Sequence, residues 1–300
     1  MQRIKILSIV LIIGLACLSL PDTATAQRKA AAQKKFAVDL PMQFRGSMPV
    51  IEVSVNGKGP FLFAIDTGAQ GEARADSSLV QRLQLPKVNE GVVGDGSNRN
   101  SRKVDVIQFE TLAIGSLKFR NIQALTRNYN TVPSYLKIDG ILGFDLFSNH
   151  LLTLDYPNKR VRIERGELPK PDGKEILRFE NPLGIPIIEL STGGIKLVAG
   201  IDSGDSEGIS FPLALINVLP RASESKVIGK ARTVTNEYEI KEVRLKNMLY
   251  MGSSEFFEPT VTYSEFFDGI SLGGMMLREF SVTFDQKNQR VRFIRQKVAN

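Results

Sequence analysis

The sequence predicts an all-β protein, mainly strands with a few short helices, built as two repeated β-barrel-like lobes. Three observations carry this expectation. Short β-branched and aromatic runs alternate with turn signals such as Asn56-Gly57, Asp95-Gly96 and Lys287-Asn288. Stretches of the first half recur in the second half in the same order. A single helix-like stretch follows the same acidic tripeptide in each copy.

The chain opens with a targeting pattern. Arg3 and Lys5 precede an almost unbroken apolar run from Ile6 to Leu20. That run is shorter than the about 20 residues a membrane-spanning helix needs. Ala24-Thr25-Ala26 then offers small residues for a signal peptidase, so residues 1–26 read as a cleaved secretory signal. Two alternatives are an uncleaved membrane anchor and a lipoprotein attached through Cys17, for which Gly14-Leu15-Ala16 is a poor lipobox. Cleavage after Ala26 removes Cys17 and leaves no stable membrane insertion. Export without disulfides points to a bacterial envelope, in the periplasm, at the cell surface or outside the cell. Residues 27–35, rich in Ala and Gln with Arg28, Lys29, Lys34 and Lys35, read as a flexible leader.

The two lobes follow. Pro49-Val50-Ile51-Glu52-Val53-Ser54 matches Pro186-Ile187-Ile188-Glu189-Leu190-Ser191, and Ile65-Asp66-Thr67-Gly68 matches Ile201-Asp202-Ser203-Gly204. Further along, Leu152-Thr153-Leu154-Asp155 matches Val282-Thr283-Phe284-Asp285, and Arg160-Val161-Arg162-Ile163 matches Arg290-Val291-Arg292-Phe293. We therefore expect an N-terminal lobe over 36–165, a Pro- and Gly-rich connector over 166–173 and a C-terminal lobe over 174–300. A helix is expected from Asp76 to Leu83, with Asp76 or Ser77 as N-cap and Leu79, Val80 and Leu83 on one face. The second copy predicts a helix from Ser210 to Leu219, with Pro212 in its first turn. Glu52 and Glu189, at one repeat position, are expected on the outer strand face.

Composition excludes several chemistries. The 300 residues hold one cysteine, one histidine and no tryptophan. A structural zinc site takes about four Cys or His ligands and a disulfide framework at least two cysteines, so neither metal nor cofactor is expected. The net charge of +7 is spread along the chain and lacks a concentrated patch with aromatic platforms, so no nucleic-acid partner is expected. His150 has no Gly-x-Ser-x-Gly elbow to serve and is expected to pack, opposite Phe280 in the repeat. Gly94-Asp95-Gly96 and Gly193-Gly194 read as hairpin turns.

The chemistry is expected at Asp66 and Asp202. Each follows an apolar run and opens an Asp-[Thr/Ser]-Gly tripeptide. Roughly one chain in ten of this length holds one such tripeptide by average residue usage, so two at matching repeat positions are a far stronger signal. Two carboxylates related by a repeat can meet between lobes and share one proton. The unprotonated one can take a proton from water, and the protonated one can polarise a carbonyl. Peptide hydrolysis by such a pair is a known solution.

At these residues the sequence resembles the pepsin/retropepsin superfamily of aspartic proteases, in the compact bacterial two-lobed form with tandem retropepsin-like units. Asp66-Thr67-Gly68-Ala69 looks like the first active-site motif and Asp202-Ser203-Gly204 like the second. Ile141-Leu142-Gly143 looks like the hydrophobic-hydrophobic-glycine element behind the catalytic loop; Ser271-Leu272-Gly273 matches it less closely. The resemblance implies a bilobal acid-protease fold and an endopeptidase cleft that takes a peptide or protein substrate. It also implies a flap hairpin over Gly91 to Lys103, turning at Gly94, Asp95 and Gly96. Asp205, after the second motif, stands where the family has a small or hydroxyl residue, and there it adds a third negative charge beside the pair.

The expectation is an exported aspartic endopeptidase, monomeric because one chain holds both half-sites. Asp66 and Asp202 are its acid/base pair. Thr67 and Ser203 brace the loops, and Gly68 and Gly204 shape them. The alternatives are an inactive peptide-binding module on the same fold, with Asp205 and Ser271 as its signs, and an unrelated β-rich structural protein.

Overall fold

Strands dominate the computed structural model, which describes residues 37–94, 101–130, 136–182, 184–232 and 237–296. The first half contains β1 (Ala37–Pro41), β2 (Gln43–Arg45), β3 (Met48–Val55), β4 (Lys58–Asp66) and β5 (Ala73–Asp76), followed by helix α1 (Ser77–Leu83). It continues with β6 (Lys87–Gly94), β7 (Ser101–Ile114), β8 (Leu117–Arg127), β9 (Gly140–Gly143), a 3-10 turn (Phe144–Phe147), β10 (Leu151–Asp155) and β11 (Arg160–Glu164). The second half contains β12 (Ile176–Arg178), β13 (Ile187–Thr192), β14 (Ile195–Asp202), β15 (Ile209–Pro212) and helix α2 (Leu213–Ile216). Then come β16 (Lys226–Arg232), β17 (Glu237–Arg244), β18 (Leu249–Met251), β19 (Ser254–Phe256), β20 (Thr260–Ser264), β21 (Ile270–Gly273), helix α3 (Gly274–Leu277), β22 (Phe280–Asp285) and β23 (Arg290–Arg295).

The strands form three sheets. The N-terminal sheet runs β2-β3-β4-β9-β5-β8-β7-β6, and an extra β3–β7 pairing curls it toward a barrel. The C-terminal sheet runs β16-β17-β20-β15-β21-β14-β13-β18-β19. Both place the strand ending in the acidic tripeptide parallel to the strand of the glycine element: Asp66 lies opposite Gly143, and Asp202 opposite Gly273. The third sheet, β1-β11-β10-β22-β23-β12, takes strands from both halves. At its centre β10 runs antiparallel to β22, and Thr153 meets Thr283 through a 3.0 Å hydroxyl–hydroxyl hydrogen bond. The alternating pattern of β22 buries Phe280, Val282 and Phe284 in a core continuous through both lobes.

Local signals account for the elements. Asn56 and Gly57 both hold positive φ in the β3–β4 turn, as a tight hairpin requires. Asp76 caps α1 by accepting the Ser78 N–H at 2.9 Å, and Leu79 is its buried anchor. Gly193 and Gly194, both at positive φ, turn β13 into β14. Glu52 and Glu189 are exposed. The second helix is shorter than its sequence pattern predicts. Ser210 belongs to β15, where its hydroxyl bonds that of Thr262 at 3.0 Å, and the helix spans only Leu213–Ile216 after Pro212. The connector is tied down: the Leu168 N–H donates to Asp285 Oδ2 at 2.9 Å, and its side chain is buried.

Candidate active site

Two loops, one from each half of the chain, meet. Thr67 and Ser203 are fully buried, and each is bonded to the backbone of the opposite loop. The Thr67 N–H donates to Ser203 Oγ and the Ser203 N–H to Thr67 Oγ1, both at 2.9 Å. The Thr67 hydroxyl donates to the Ile201 carbonyl at 2.7 Å, and the Ser203 hydroxyl to the Ile65 carbonyl at 2.8 Å. Four reciprocal bonds thus fix the loops directly against each other. A hydroxyl side chain is needed at both positions because each must donate and accept at once.

The carboxyl groups are aimed by the glycines. The Gly68 N–H donates to Asp66 Oδ1 at 2.9 Å and the Gly204 N–H to Asp202 Oδ1 at 2.8 Å. The glycines also serve a purpose that the turn alone does not reveal. A Cβ on Gly68 would collide with the Asp202 carboxyl, and a Cβ on Gly204 with that of Asp66. Each glycine makes room for the acid of the other lobe. The two carboxyls lie close together, each against the glycine of the opposite loop, and the charge of Asp66 acts on Asp202.

Their surroundings differ. Burial raises the Asp66 pKa, and the field of Arg74 works against that rise. Burial raises Asp202 further, and the negative charges of Asp66 and then Asp205 add to it. One side of the pair therefore faces a cation and the other a third carboxylate. Asp205 is held by the Glu207 N–H at 2.9 Å and by the Ser271 hydroxyl at 2.7 Å. In the first lobe the corresponding residues are Ala69 and Ile141, both buried in one apolar cluster.

Residues 51–146 match the aspartyl protease family. This stretch carries the aspartyl protease pattern. The matched stretch runs from β3 through the Asp66 tripeptide and β9 into the 3-10 turn, so it contains the whole first half-site. A search of curated proteins gives no match. Asp202 lies outside the matched stretch, and its closeness to Asp66 comes from the fold. Where the flap is expected, β6 pairs antiparallel with β7, with Gly91 opposite Val104 and Gly94 opposite Ser101. Asp95 and Gly96, expected at its tip, lie outside the described residues, as does the segment 1–36.

His150 packs edge-on against Phe119, with ring centres 5.7 Å apart, just before β10, and burial lowers its pKa. Among the described residues no cluster of three or more His, Cys, Asp or Glu side chains could hold a metal ion, and no helix is long and apolar enough to cross a membrane. Sequence reasoning passed over Arg74 and its neighbours Arg127 and Tyr129. The available signal was a charge placed between two alanines, Ala73 and Ala75, in a short strand eight residues after Asp66.

Proposed function

We propose that the protein is an aspartic endopeptidase in which Asp66 and Asp202 activate one water molecule between them. The reciprocal hydrogen bonding that brings the carboxyls close together is the observation that carries this reading. Two acids held this close cannot both ionise easily, so the pair retains one proton. Arg74 favours the charge on Asp66, and Asp205 disfavours charge on Asp202. Asp202 accordingly keeps the proton and Asp66 is the base. Asp66 takes a proton from the water as its oxygen attacks the peptide carbonyl carbon, and Asp202 donates its proton to the carbonyl oxygen. Collapse of the tetrahedral intermediate breaks the C–N bond: the proton held by Asp66 passes to the leaving nitrogen, and one hydroxyl proton of the intermediate returns to Asp202 as the new carbonyl forms.

One chain contributes both carboxyls, so the proposed enzyme works as a monomer. The charged start at Arg3 and Lys5, the apolar run and Ala24-Thr25-Ala26 support export with cleavage after Ala26. N-terminal sequencing of the protein from the cell envelope and medium tests that part.

The activity is tested with a denatured protein substrate between about pH 3 and 7, the range in which carboxylate pairs operate. Cleavage that falls by at least about a hundredfold in both Asp66→Asn and Asp202→Asn supports the reading. Absence of cleavage by the wild-type protein at every pH, with an extended peptide still bound, establishes the peptide-binding module instead.

A further inference from the structure

The second lobe holds a cavity of about 260 Å³ among α2, β17 and β20. Leu213, Tyr238, Glu239, Tyr263 and Glu265 wall it, with Lys241 among them. The strand register sets it apart from the acid pair. Gly200, Ser271, Ser210 and Thr262 are partners across β14, β21, β15 and β20. Asp202 lies beyond Gly200 on β14, whereas Ser264, at the cavity, lies beyond Thr262 on β20, which runs the opposite way. Strand spacing and residue rise put the two positions roughly 20 Å apart.

The walls are held in place by the protein itself. The buried Ser264 hydroxyl donates to the Glu239 carbonyl at 2.9 Å, which ties β20 to β17. The Phe266 N–H donates to Ser264 Oγ at 3.4 Å, and the Phe266 ring packs on Tyr238 with centres 5.1 Å apart. The volume falls below the about 300–1,000 Å³ of pockets that enclose whole small ligands, and it suits one long side chain. Glu239 and Glu265 are exposed at the rim, Leu213 and Tyr238 are half-buried, and Tyr263 is buried.

The lining selects by charge. Lys241 Nζ is 3.0 Å from Glu239 Oε2, so an ammonium already fits beside that carboxylate. Two carboxylates against one ammonium leave the cavity negative. An entering cation can lay its methylene stem along Leu213 and Tyr263, donate to Glu265 and Glu239, and face a tyrosine ring. The first lobe is built differently at the matching places. Register gives Lys103 and Asp105 as the counterparts of Glu239 and Lys241, and Ser77 and Thr126 as those of Leu213 and Tyr263. There the charges are reversed, hydroxyl side chains replace the apolar walls, and Asp105 is paired with Lys87 at 2.7 Å.

We propose that this cavity is an exosite that binds a lysine or arginine side chain of an extended peptide. It is separate from the acid pair and stands whether or not that pair hydrolyses peptides.

The test titrates ¹⁵N-labelled protein with acetylated, amidated alanine pentapeptides carrying a central Lys, norleucine or Glu. It is run at pH 7, where Glu and Lys side chains are both charged. The Lys peptide should shift the amides of Leu213, Tyr238 to Lys241 and Tyr263 to Glu265, and bind about fivefold or more tighter than the norleucine peptide. Glu265→Gln should reduce that ratio by about two- to fivefold. Lys241→Gln should instead strengthen binding of the Lys peptide, because it frees Glu239 and removes a like charge; a merely structural Lys241 would give no such gain. Equal binding of the Lys and norleucine peptides overturns the proposal by showing an apolar slot. Preference for the Glu peptide, lost in Lys241→Gln, overturns it in favour of an anion site. Shifts confined to the amides around Gly68 and Gly204, or no saturable shift at all, overturn it as well.

Discussion

The Ser271 hydroxyl donates to the Asp205 carboxylate, Oγ to Oδ2 at 2.7 Å. Each residue alone departs from the pattern of the first lobe, and the two are partners. Where the first lobe packs Ala69 against Ile141, the second uses a hydrogen-bonded Asp and Ser, with the Glu207 N–H as a further donor to Asp205. Asp205 therefore supports the second loop from behind, and it contributes negative charge on the Asp202 side of the pair.

Replacing Asp205 by Asn keeps an acceptor for the Glu207 N–H and removes the charge. With one negative charge fewer, Asp202 loses its proton more easily, so its pKa falls. The basic limb of the kcat/KM profile should move to lower pH, because the general acid is lost earlier. A pH–rate profile of the variant against wild type checks this; an unmoved limb would show that the charge of Asp205 does not reach the pair.

Ser271→Ile alone removes a donor from Asp205 and sets an apolar chain beside a part-buried carboxylate. A loss of about 1–3 kcal/mol is expected. Asp205→Ala together with Ser271→Ile rebuilds the apolar pairing of the first lobe and should recover much of that loss. A double-mutant cycle by urea denaturation measures the coupling between the two sites.

The acid pair also makes stability depend on pH. The folded-state pKa of Asp202 is raised above its unfolded value, so the native state holds a proton that the unfolded chain releases. Its contribution is fully present below the ordinary Asp pKa of about 3.9 and is lost as pH rises toward the raised value. Scanning calorimetry from about pH 4 to 7 should show the Tm of the wild type falling relative to Asp202→Asn, in which this group cannot titrate. Parallel curves would contradict the shift.

Thr67→Val retains shape and removes the hydroxyl. The buried Ser203 N–H then lacks its acceptor and the Ile201 carbonyl its donor. Each orphaned group costs about 1–3 kcal/mol, and the two loops lose their mutual alignment. Denaturation should show the loss of stability, and kcat should fall further than the unfolded fraction accounts for. Thr67→Ser, which keeps every bond, should behave close to wild type.

Much of this protein follows from sequence alone. Alternating runs and Asn-Gly or Gly-Gly turns encode strands and hairpins within a few residues, so the all-β fold class was legible. Asp76 announced its helix because a cap acts over two residues, whereas Ser210 was drawn into a strand by Thr262, a residue no local pattern connects to it. The recurring tripeptides located the acidic loops. Only the tertiary structure decided what those loops meet. The pairing of Asp205 with Ser271, the carboxyl occupying the space beside each opposite glycine, and the placing of Arg74 on the Asp66 face of its sheet all depend on sheet order and register. Those are set by the packing of strands far apart in the chain, and no local propensity carries that information.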